Sequence, residues 1–282
     1  MKVGFIGFGN MAQALAEGFA ATGALKPCQI GACARDRAKL RRNTEPKGFL
    51  AFDDAARVAE FADMERGAQA WLDQVVGHLE TPMLPDTPLR MAAEGSALAD
   101  LFNTVQLAAS GAQLSVTSLA NDAAGLPQTV RRRDILNAYP YTNTLTVLEI
   151  TGAVLRRAME RSAEYFTRNA DGSLRVSDCF LEPKVEHYNY DYYAGVTYAY
   201  DIARPVGERV VELTFNGTPV KDTDVFTACL SSYRASGTGG YDGYVGCPIV
   251  REIGTEMADL ILDCFKEFKG NIPAMQSDFR VI

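Results

Sequence analysis

The chain has 282 residues, 47% of them hydrophobic, which is enough for one large domain or two ordinary ones with a packed core. Its formal net charge of −7 argues against a nucleic-acid partner, because attraction to a phosphate backbone needs a basic surface. The apolar runs are too short to span a bilayer and the first residues do not resemble a signal peptide, so we expect no membrane partner and a cytoplasmic chain.

Six cysteines are spread through the sequence, and none has the C-x-x-C spacing of a metal or redox site. Five of the six lie in otherwise apolar strand or helix patterns, where a thiol behaves as a small hydrophobic side chain. We therefore predict buried free thiols. The six are Cys28, Cys33, Cys179, Cys229, Cys247 and Cys264.

The first 64 residues alternate between strand and helix patterns. The predicted elements are strand Val3–Gly7, helix Asn10–Ala21, strand Gln29–Ala34, helix Asp36–Asn43, strand Phe49–Phe52 and helix Asp54–Met64. This β-α-β-α-β-α order predicts a parallel sheet with helical crossovers. It amounts to half of a dinucleotide-binding Rossmann domain, which would next supply a strand beside the first one.

The pattern changes after Met64. Residues 65–80 form a polar stretch with apolar side chains at helical spacing, and three prolines follow within 81–88. We therefore predict a helix and a linker over 65–88 in place of the missing strand.

The rest of the chain mixes helices and strands without an internal repeat, which is typical of an α+β domain. The predicted elements are helix Leu89–Ala108, strand Gln113–Ala120, a short helix before Tyr139, strand Leu145–Thr151, helix Gly152–Thr167, a tyrosine-rich loop, strands Gly195–Ile202, Arg209–Phe215 and Val225–Leu230, and helix Ile249–Phe268. We therefore predict a second domain over 89–282.

The motif GFGNMA at residues 7–12 has the form G-x-G-x-x-A and lies between a predicted strand and a predicted helix. Gly7 permits a tight turn, and Gly9 lets the backbone approach a pyrophosphate. The helix that starts at Asn10 and Met11 offers the partial positive charge of its N-terminus. We predict that these four residues bind the pyrophosphate of a dinucleotide.

Arg35 follows the second predicted strand, where an NAD site would place an acidic residue on the ribose 2′-hydroxyl. An arginine suits the additional 2′-phosphate of NADP, so we predict NADP as the cofactor that this incomplete site prefers. The alternative is that Arg35 is a solvated residue at the start of the next helix.

The segments MKVGFIGFGNMAQALAEGF, IGACARDRAKL and AFDDAARVAEFADM together resemble the N-terminus of pyrroline-5-carboxylate reductase. The resemblance implies a reductase of proline biosynthesis that reduces a cyclic imine with NAD(P)H, and this is our alternative function. It ends at Met64. The family's next strand, its Ala-Val-Lys-Pro turn beneath the nicotinamide and its helical substrate and dimerisation domain have no counterpart in this sequence.

Two loops of the second region carry aromatic residues next to polar ones. One reads YPYTNTL from Tyr139, and the other reads SYRASGTGGYDGY from Ser232. Tyrosines on separate loops can hold a flat base between them at about 1–3 kcal/mol per stacked base, and glycines let the backbone approach a sugar. From the residues alone, the alternative is that these tyrosines are core or surface residues.

The segments AYPYTNTLTVLEITGAVLRRAMERSAEYF, FLEPKVEHYNYDYYAGVTYAYDIARPVGERV and SSYRASGTGGYDGY resemble the C-terminal domain of the 5′-nucleotidase family. They are most similar to its 2′,3′-cyclic-nucleotide 2′-phosphodiesterase/3′-nucleotidase branch, over about residues 65–271. The resemblance implies a domain that binds the nucleoside and needs no cofactor to do so. The implied ligands are adenosine-type nucleosides and 2′,3′-cyclic or 3′-nucleotides.

By the same resemblance, four residues of this chain fall on family binding positions. Tyr141 and Tyr233 would clamp the base, and Asn143 would contact its edge. Asp242 would accept a hydrogen bond from a ribose hydroxyl, although the inserted Tyr241 shifts the register of that turn.

In that family, an N-terminal metallophosphoesterase domain holds two metal ions through Asp-x-His and Gly-Asn-His-Asp/Glu motifs, and these ions activate water. This chain has two histidines, His78 and His187, and neither motif. We therefore predict no metal site and no catalytic residue here, the divalent metals belonging to a domain that the chain lacks.

The sequence thus predicts a partial Rossmann unit over 1–64, a helix and linker over 65–88, and an α+β domain of the 5′-nucleotidase C-terminal type over 89–282. We expect the chain to bind a nucleoside or nucleotide and to catalyse nothing efficiently by itself, which leaves open whether it is an enzyme. We expect it in the cytoplasm, whereas the nucleotidase family is usually secreted, periplasmic or at the cell surface.

Overall fold

The structure is a computed structural model that describes residues 2–53, 62–268 and 277–282, without the side chains of 62–66. The chain divides into two compact units, Met1–Asp73 and Gln74–Ile282. Each unit has a hydrophobic core of its own.

The first unit is a small parallel sheet with helices. Its elements are β1 (Val3–Ile6), α1 (Asn10–Ala21), β2 (Ile30–Cys33), α2 (Arg37–Thr44), β3 (Leu50–Ala51) and α3 (Ala62–Leu72). The strand order is β1-β2-β3, and both pairs are parallel, as predicted for half of a Rossmann domain. Most of the helix predicted at 54–64 lies outside the described residues.

One side of β1 has no strand partner among the described residues, since β1 lies at the end of the three-stranded sheet. A complete Rossmann sheet would place its next strand there. The side chains of Ile6 and Met11, next to this edge and at the start of α1, are largely exposed. The described part of the unit is therefore consistent with the sequence, which supplies no fourth apolar strand.

The second unit holds the remaining strands and helices. They are β4 (Val75–His78), α4 (Pro88–Glu94), α5 (Ala97–Ser110), β5 (Leu114–Ser118), β6 (Thr129–Arg131), α6 (Arg132–Ala138), β7 (Leu145–Thr151), α7 (Gly152–Ala163), β8 (Phe166–Arg168), β9 (Leu174–Val176), β10 (Asp191–Ala194), β11 (Thr197–Tyr200), β12 (Val210–Phe215), β13 (Thr218–Pro219), β14 (Val225–Ser231), α8 (Ser232–Ala235), β15 (Ile249–Ile253), α9 (Met257–Glu267) and β16 (Asp278–Val281).

Two sheets organise this unit. A mixed five-stranded sheet has the order β10-β5-β14-β7-β15, and a four-stranded sheet has the order β13-β12-β11-β16. Helix α5 packs on the five-stranded sheet, and α7 contacts both β7 and β12, one strand from each sheet. This arrangement is the predicted α+β fold.

Helix α7 shows why these residues fold as they do. Its N-cap is Thr151, whose hydroxyl accepts a hydrogen bond from the amide of Val154 at 3.3 Å. Its buried side chains include Leu155, Ala158 and Met159, which follow the i, i+3, i+4 spacing of one helix face. Capping and periodicity therefore agree with the predicted start of this helix.

Gly152 occupies the first position of α7 because no side chain fits there. A Cβ on this residue would overlap the carbonyl oxygen of Lys221, which is backbone and cannot rotate away. We expect Gly152→Ala to lower the free energy of unfolding by about 1–2 kcal/mol, measured by urea denaturation. The control is Gly254→Ala, where a Cβ meets nothing within 4 Å. Equal stability of the two variants would contradict this account.

The prediction of a helix over 65–80 was wrong in its second half. Helix α3 ends at Leu72, and β4 pairs antiparallel with β6, with His78 opposite Thr129. The partner strand lies some fifty residues further along the chain, so helical spacing of apolar residues alone could not reveal the pairing.

Other differences arise where two elements adjoin. The predicted helix Leu89–Ala108 is two helices, α4 and α5, separated at Gly95, whose φ of +98° does not fit a helix. The predicted helix Ile249–Phe268 begins with the edge strand β15 and continues as α9. Strands β10 and β16 were not predicted, because the first lies in the tyrosine-rich segment and the second is short.

All six cysteines are free. The prediction that they are buried holds for Cys33, Cys229 and Cys264, while Cys28 and Cys179 are exposed. Both exposed residues lie in short 3₁₀ turns rather than in the regular strands or helices that the apolar pattern suggested.

Candidate functional site

A cavity of about 300 Å³ opens at one end of the five-stranded sheet. Four segments contribute to its lining: residues 116–118 at the end of β5, the loop 139–143, the segment 184–191, and the junction 231–234 between β14 and α8. The volume is at the lower end of the range for small-molecule sites, which run from about 300 to 1,000 Å³.

Strand pairing brings these four segments together. β14 ends beside the start of β7, with Ser231 opposite Leu145, and the amide of Ser232 donates to the carbonyl of Thr144 at 2.8 Å. β10 begins beside the end of β5, with Asp191 opposite Ser118. The loops that precede β7 and β10 therefore meet the residues that follow β5 and β14.

Tyr141 and Tyr233, predicted as the aromatic pair, both line this cavity. Tyr141 is half-buried, and its ring lies edge-on to that of Tyr139, with centroids 5.8 Å apart. Tyr233 lies in the single turn of α8 and keeps 39% of its surface exposed. Each ring therefore retains surface that a ligand can cover.

Burial raises the pKa of Tyr141 and of Tyr233, and the neighbouring Tyr188 hydroxyl raises both further. All three tyrosines line the cavity, and the raised pKa of Tyr141 and of Tyr233 keeps these two protonated at neutral pH. They offer hydroxyl groups as well as aromatic faces to a ligand.

Asn143, the predicted base-edge partner, also lines the cavity. Its backbone carbonyl accepts a hydrogen bond from the amide of Met257 at 3.0 Å, which fixes the loop. Burial raises the pKa of the adjacent Tyr139 to about 12, against the opposing effect of a hydrogen bond with Asn143. Met257 thus fixes the backbone of Asn143, and Tyr139 contacts its side-chain amide.

Asp242, the predicted ribose acceptor, is not in the lining of this cavity. It is exposed and starts a 3₁₀ turn, whereas the preceding Tyr241 is buried, with its hydroxyl 2.9 Å from Ser162 Oγ. Tyr241 also donates to the carbonyl of Asn189 at 2.8 Å. The inserted tyrosine therefore anchors the turn in the core and leaves Asp242 at the surface, so the structure does not bring it to the other predicted residues.

The glycines of the 237–240 turn are explained by packing inside the protein. Gly239 has a φ of +85°, and a Cβ on it would overlap Asn189 Oδ1 and Arg234 Nη1. Gly240 has a φ of +89°, and a Cβ there would press on the guanidinium of Arg161. Close contact with two arginines therefore accounts for glycine at positions 239 and 240, and the approach of this backbone to a sugar stays a prediction.

The cavity wall contains a buried ion pair that was not predicted from the sequence motifs. Arg234 and Asp191 are 3% and 1% exposed, and Arg234 Nε lies 2.9 Å from Asp191 Oδ2. Both residues belong to the lining. An arginine and an aspartate in otherwise apolar or aromatic segments are a signal for such a pair, but the sequence separation of 43 residues hides which charge meets which.

The guanidinium of Arg234 is fully occupied. Nε and Nη2 donate to Asp191 Oδ1 at 3.1 and 2.9 Å, and Nη2 also donates to the carbonyl of Tyr188 at 3.1 Å. Nη1 donates to Asn189 Oδ1 and to the carbonyl of Thr238. An arginine has five N–H donors, so each has an acceptor within the protein.

Burial raises the pKa of Asp191 to about 6, and the charge of Arg234 acts in the opposite direction. For Arg234, burial lowers the pKa, but the charge of Asp191, the hydrogen bond to it and the neighbouring Tyr241 and Tyr193 together raise the pKa overall. The pair is therefore ionised at neutral pH, with the arginine permanently charged.

The two histidines lie apart from the predicted base-binding residues. His78 is exposed in β4, with its Nδ1 3.3 Å from the hydroxyl of Thr129. His187 is part-buried with Nδ1 2.7 Å from the hydroxyl of Tyr165, and burial lowers its pKa. Within residues 2–53, 62–268 and 277–282, no three histidine, cysteine, aspartate or glutamate side chains are grouped to hold a metal ion.

The first unit carries the predicted dinucleotide-binding turn. Gly7 has a φ of +90° and its amide donates to the carbonyl of Cys33 at 2.8 Å, so the turn is fixed to β2. Gly9 is the N-cap of α1, and a Cβ on either glycine would meet nothing within 4 Å. Asn10 and Met11 start the helix, and the exposed Arg35 lies two residues after β2. Gly7 and Gly9 therefore have a backbone geometry compatible with the predicted pyrophosphate site, and the binding roles of all five residues, with Arg35 at the 2′-phosphate, stay predictions.

Comparison with family models identifies both regions. The model of the 5′-nucleotidase C-terminal domain matches residues 75–245, and the model described as NADP oxidoreductase, coenzyme F420-dependent, matches residues 2–64. The two resemblances inferred from the sequence motifs are therefore confirmed.

Curated relatives divide in the same way. The 2′,3′-cyclic-nucleotide 2′-phosphodiesterase/3′-nucleotidase of Haemophilus influenzae is 31% identical over 143 residues, covering 45% of this chain and 22% of that protein. The pyrroline-5-carboxylate reductase of Treponema pallidum is 56% identical over 49 residues, covering 17% of this chain and 19% of that protein. The chain thus spans less than a quarter of the length of either relative.

A solved structure supports the fold of the larger region. A candidate 5′-nucleotidase from Staphylococcus aureus, in complex with α-ketoglutarate, superimposes with a TM-score of 0.73 at 36% identity. The match covers 79% of this chain and 43% of the Staphylococcus protein. Separately, no helix among the described residues is long and apolar enough to cross a membrane.

Proposed function

Because the chain belongs to the 5′-nucleotidase C-terminal domain family through residues 75–245, we propose that it binds a nucleoside or nucleotide in the cavity described above. The observation that carries the proposal is that Tyr141, Asn143 and Tyr233 line one cavity although 92 residues separate the two tyrosines. Two aromatic faces and one amide are the groups that recognise a base.

The two tyrosines and the asparagine would contribute to ligand binding in different ways. Stacking on Tyr141 and Tyr233 removes apolar surface of the base from water and tolerates any base, because every base has an aromatic face. Asn143 offers both a donor and an acceptor, which can pair with the edge of an adenine. Stacking supplies most of the affinity, and the amide supplies preference among bases.

We propose adenosine-type compounds as the ligands, with 2′,3′-cyclic and 3′-nucleotides as the phosphorylated forms. The choice of phosphorylated forms is supported by the Haemophilus influenzae relative, whose name specifies 2′,3′-cyclic-nucleotide and 3′-nucleotide chemistry.

We propose further that this chain by itself binds these compounds without hydrolysing them efficiently. Two-metal hydrolysis needs several carboxylate and imidazole ligands around ions a few ångströms apart. The two histidines of the sequence lie in different elements, His78 in β4 and His187 in a 3₁₀ turn. Catalysis would therefore depend on a metallophosphoesterase domain that supplies those ligands.

The test is titration calorimetry of the full chain with adenosine and with 2′,3′-cyclic AMP, followed by an assay of phosphate ester cleavage with added Mn²⁺ or Zn²⁺. We expect measurable binding and no metal-dependent turnover. If neither compound gives a binding heat, the binding proposal is contradicted. If the purified chain cleaves the phosphate ester in a metal-dependent way, the proposal that it needs a further domain is contradicted.

A second candidate function is binding of NADP by the first unit. It is supported by the geometry of Gly7 and Gly9 at the start of α1 and by the oxidoreductase model that matches residues 2–64. Gly7, Gly9, Asn10 and Met11 would hold the pyrophosphate. When bound, the nicotinamide would supply a hydride.

Arg35 provides the test of this second candidate. We expect the chain to bind NADP more tightly than NAD, and Arg35→Ser to weaken NADP about 3- to 10-fold while leaving NAD unchanged, because an exposed charge pair with the 2′-phosphate is lost. Arg37→Ser, an exposed arginine at the start of α2, is the matched control. Equal affinity for NADP and NAD in the unsubstituted chain would contradict the role of Arg35.

A further inference from the structure

The cavity has two cationic side chains in its lining, Lys184 and Arg234, and only one of them is available to a ligand. All five N–H donors of Arg234 have acceptors in Asp191, Asn189, Tyr188 and Thr238. Its charge is also paired with Asp191 at 2.9 Å. Arg234 therefore builds the wall of the cavity and has no donor left for a phosphate.

Lys184 differs in exposure and in hydrogen bonding. Its side chain is exposed, and its ammonium donates one hydrogen bond, to the Tyr188 hydroxyl at 3.1 Å. The ammonium also lies 5.3 Å from the centre of the Tyr188 ring. Since an ammonium has three donors, two remain for a ligand as far as residues 2–53, 62–268 and 277–282 are concerned.

The contact with Tyr188 holds Lys184 at the cavity. The Tyr188 hydroxyl accepts from Lys184 and donates to Glu186 Oε1 at 3.0 Å. The other oxygen of Glu186 accepts from Asn189 Nδ2 at 2.9 Å. Both carboxylate oxygens thus have donors of their own. The hydrogen bond with Tyr188 is the main cause that raises the pKa of the Lys184 ammonium, and the charge of Glu186 is a smaller one.

The segment that carries Lys184 is fixed to the rest of the unit. Asn121 Nδ2 donates to the carbonyl of Val185 at 2.8 Å, and Arg234 donates to the carbonyl of Tyr188. Lys184 and Tyr233 both belong to the lining of the cavity. A cation with spare donors therefore lies in the same cavity as the two proposed stacking residues.

We propose that Lys184 binds the phosphate of a nucleotide whose base lies against Tyr141 and Tyr233, so that the cavity prefers nucleotides to nucleosides. The inference rests on the proposed function, because it assumes that the base occupies this cavity. A phosphate is the part of such a ligand that gains most from a cation with free donors, since charge-assisted hydrogen bonds are stronger than neutral ones.

The test compares four ligands by calorimetry on the full chain: adenosine, 2′-AMP, 3′-AMP and 5′-AMP. We expect at least one monophosphate to bind more tightly than adenosine, with an advantage that falls as salt concentration rises. Lys184→Gln should reduce that advantage by about 3- to 10-fold and change adenosine affinity less than twofold. Lys184→Arg should retain most of it.

Lys221→Gln is the matched control, because Lys221 is exposed, carries the same charge and lies outside the cavity lining. If neither adenosine nor any of the three monophosphates binds, the proposed function fails. If adenosine binds but no monophosphate binds more tightly, or if the phosphate advantage survives Lys184→Gln or is lost equally in Lys221→Gln, the role of Lys184 is refuted while the proposed function stands.

Discussion

Tyr233→Ala and Tyr141→Ala should each weaken adenosine binding by about 1–3 kcal/mol, which is about 5- to 150-fold in Kd. Each substitution removes one aromatic face of the proposed clamp. Tyr233 is the cleaner of the two, because it is 39% exposed and its removal leaves little unfilled space. The measurement is calorimetry with adenosine on the full chain, with thermal unfolding recorded for each variant.

Tyr141→Phe and Tyr233→Phe are the matched controls, since phenylalanine keeps the ring and removes the hydroxyl. They should bind adenosine within about threefold of the unsubstituted chain, because stacking depends on the ring. If both alanine variants bind as tightly as the unsubstituted chain, the base does not lie between these tyrosines. If the phenylalanine variants lose as much affinity as the alanine variants, the hydroxyls rather than the ring faces bind the ligand.

The fold of the first unit was largely predictable because its structure is local. The strand before Gly7, the positive φ at that glycine and the helix from Asn10 follow one another within twenty residues. Parallel pairing of consecutive strands is the expected outcome of such an alternation. Composition and periodicity predict this kind of short-range order best.

The five-stranded sheet of the second unit was harder to predict because its pairings are distant. Leu114 of β5 lies opposite Ala228 of β14, although 114 residues separate them. β10 is buried along its whole length and shows no polar alternation, so it did not stand out within the tyrosine-rich segment. A single sequence contains little information about which strands pair across such separations.

Only some residues of the candidate site could be predicted from the sequence, for the same reason. Tyr141, Asn143 and Tyr233 were found because their motifs resemble those of a family, and the structure places all three in one cavity. Asp191 was missed because only the fold brings it beside Arg234. Three residues that offer surface to a ligand could thus be predicted from motifs, whereas Lys184, Tyr188 and the ion pair in the wall behind them could not.

Arg234→Met should lower the free energy of unfolding by about 3–5 kcal/mol, because it leaves the carboxylate of Asp191 buried without its partner. The same substitution removes the hydrogen bonds to the carbonyls of Tyr188 and Thr238, which join the cavity wall to the glycine-containing turn. Urea denaturation measures the stability, and calorimetry should show weaker adenosine binding even where the variant is folded. Arg175→Met, which breaks an exposed ion pair with Asp178, is the matched control and should leave stability unchanged within error.

The pH dependence of this loss distinguishes an unpaired charge from simple loss of packing. The pKa of Asp191 is already raised to about 6 in the folded chain, and removal of Arg234 should raise it further. A folded-state pKa above the unfolded value means that the native state binds the extra proton, so stability falls as pH rises through this range. The deficit of Arg234→Met should therefore be larger at pH 8 than at pH 5, and the double variant Asp191→Asn/Arg234→Met should recover stability at pH 8. A deficit that is equal at both pH values, with no recovery in the double variant, would show that Arg234 stabilises the wall by packing and backbone hydrogen bonds rather than by neutralising Asp191.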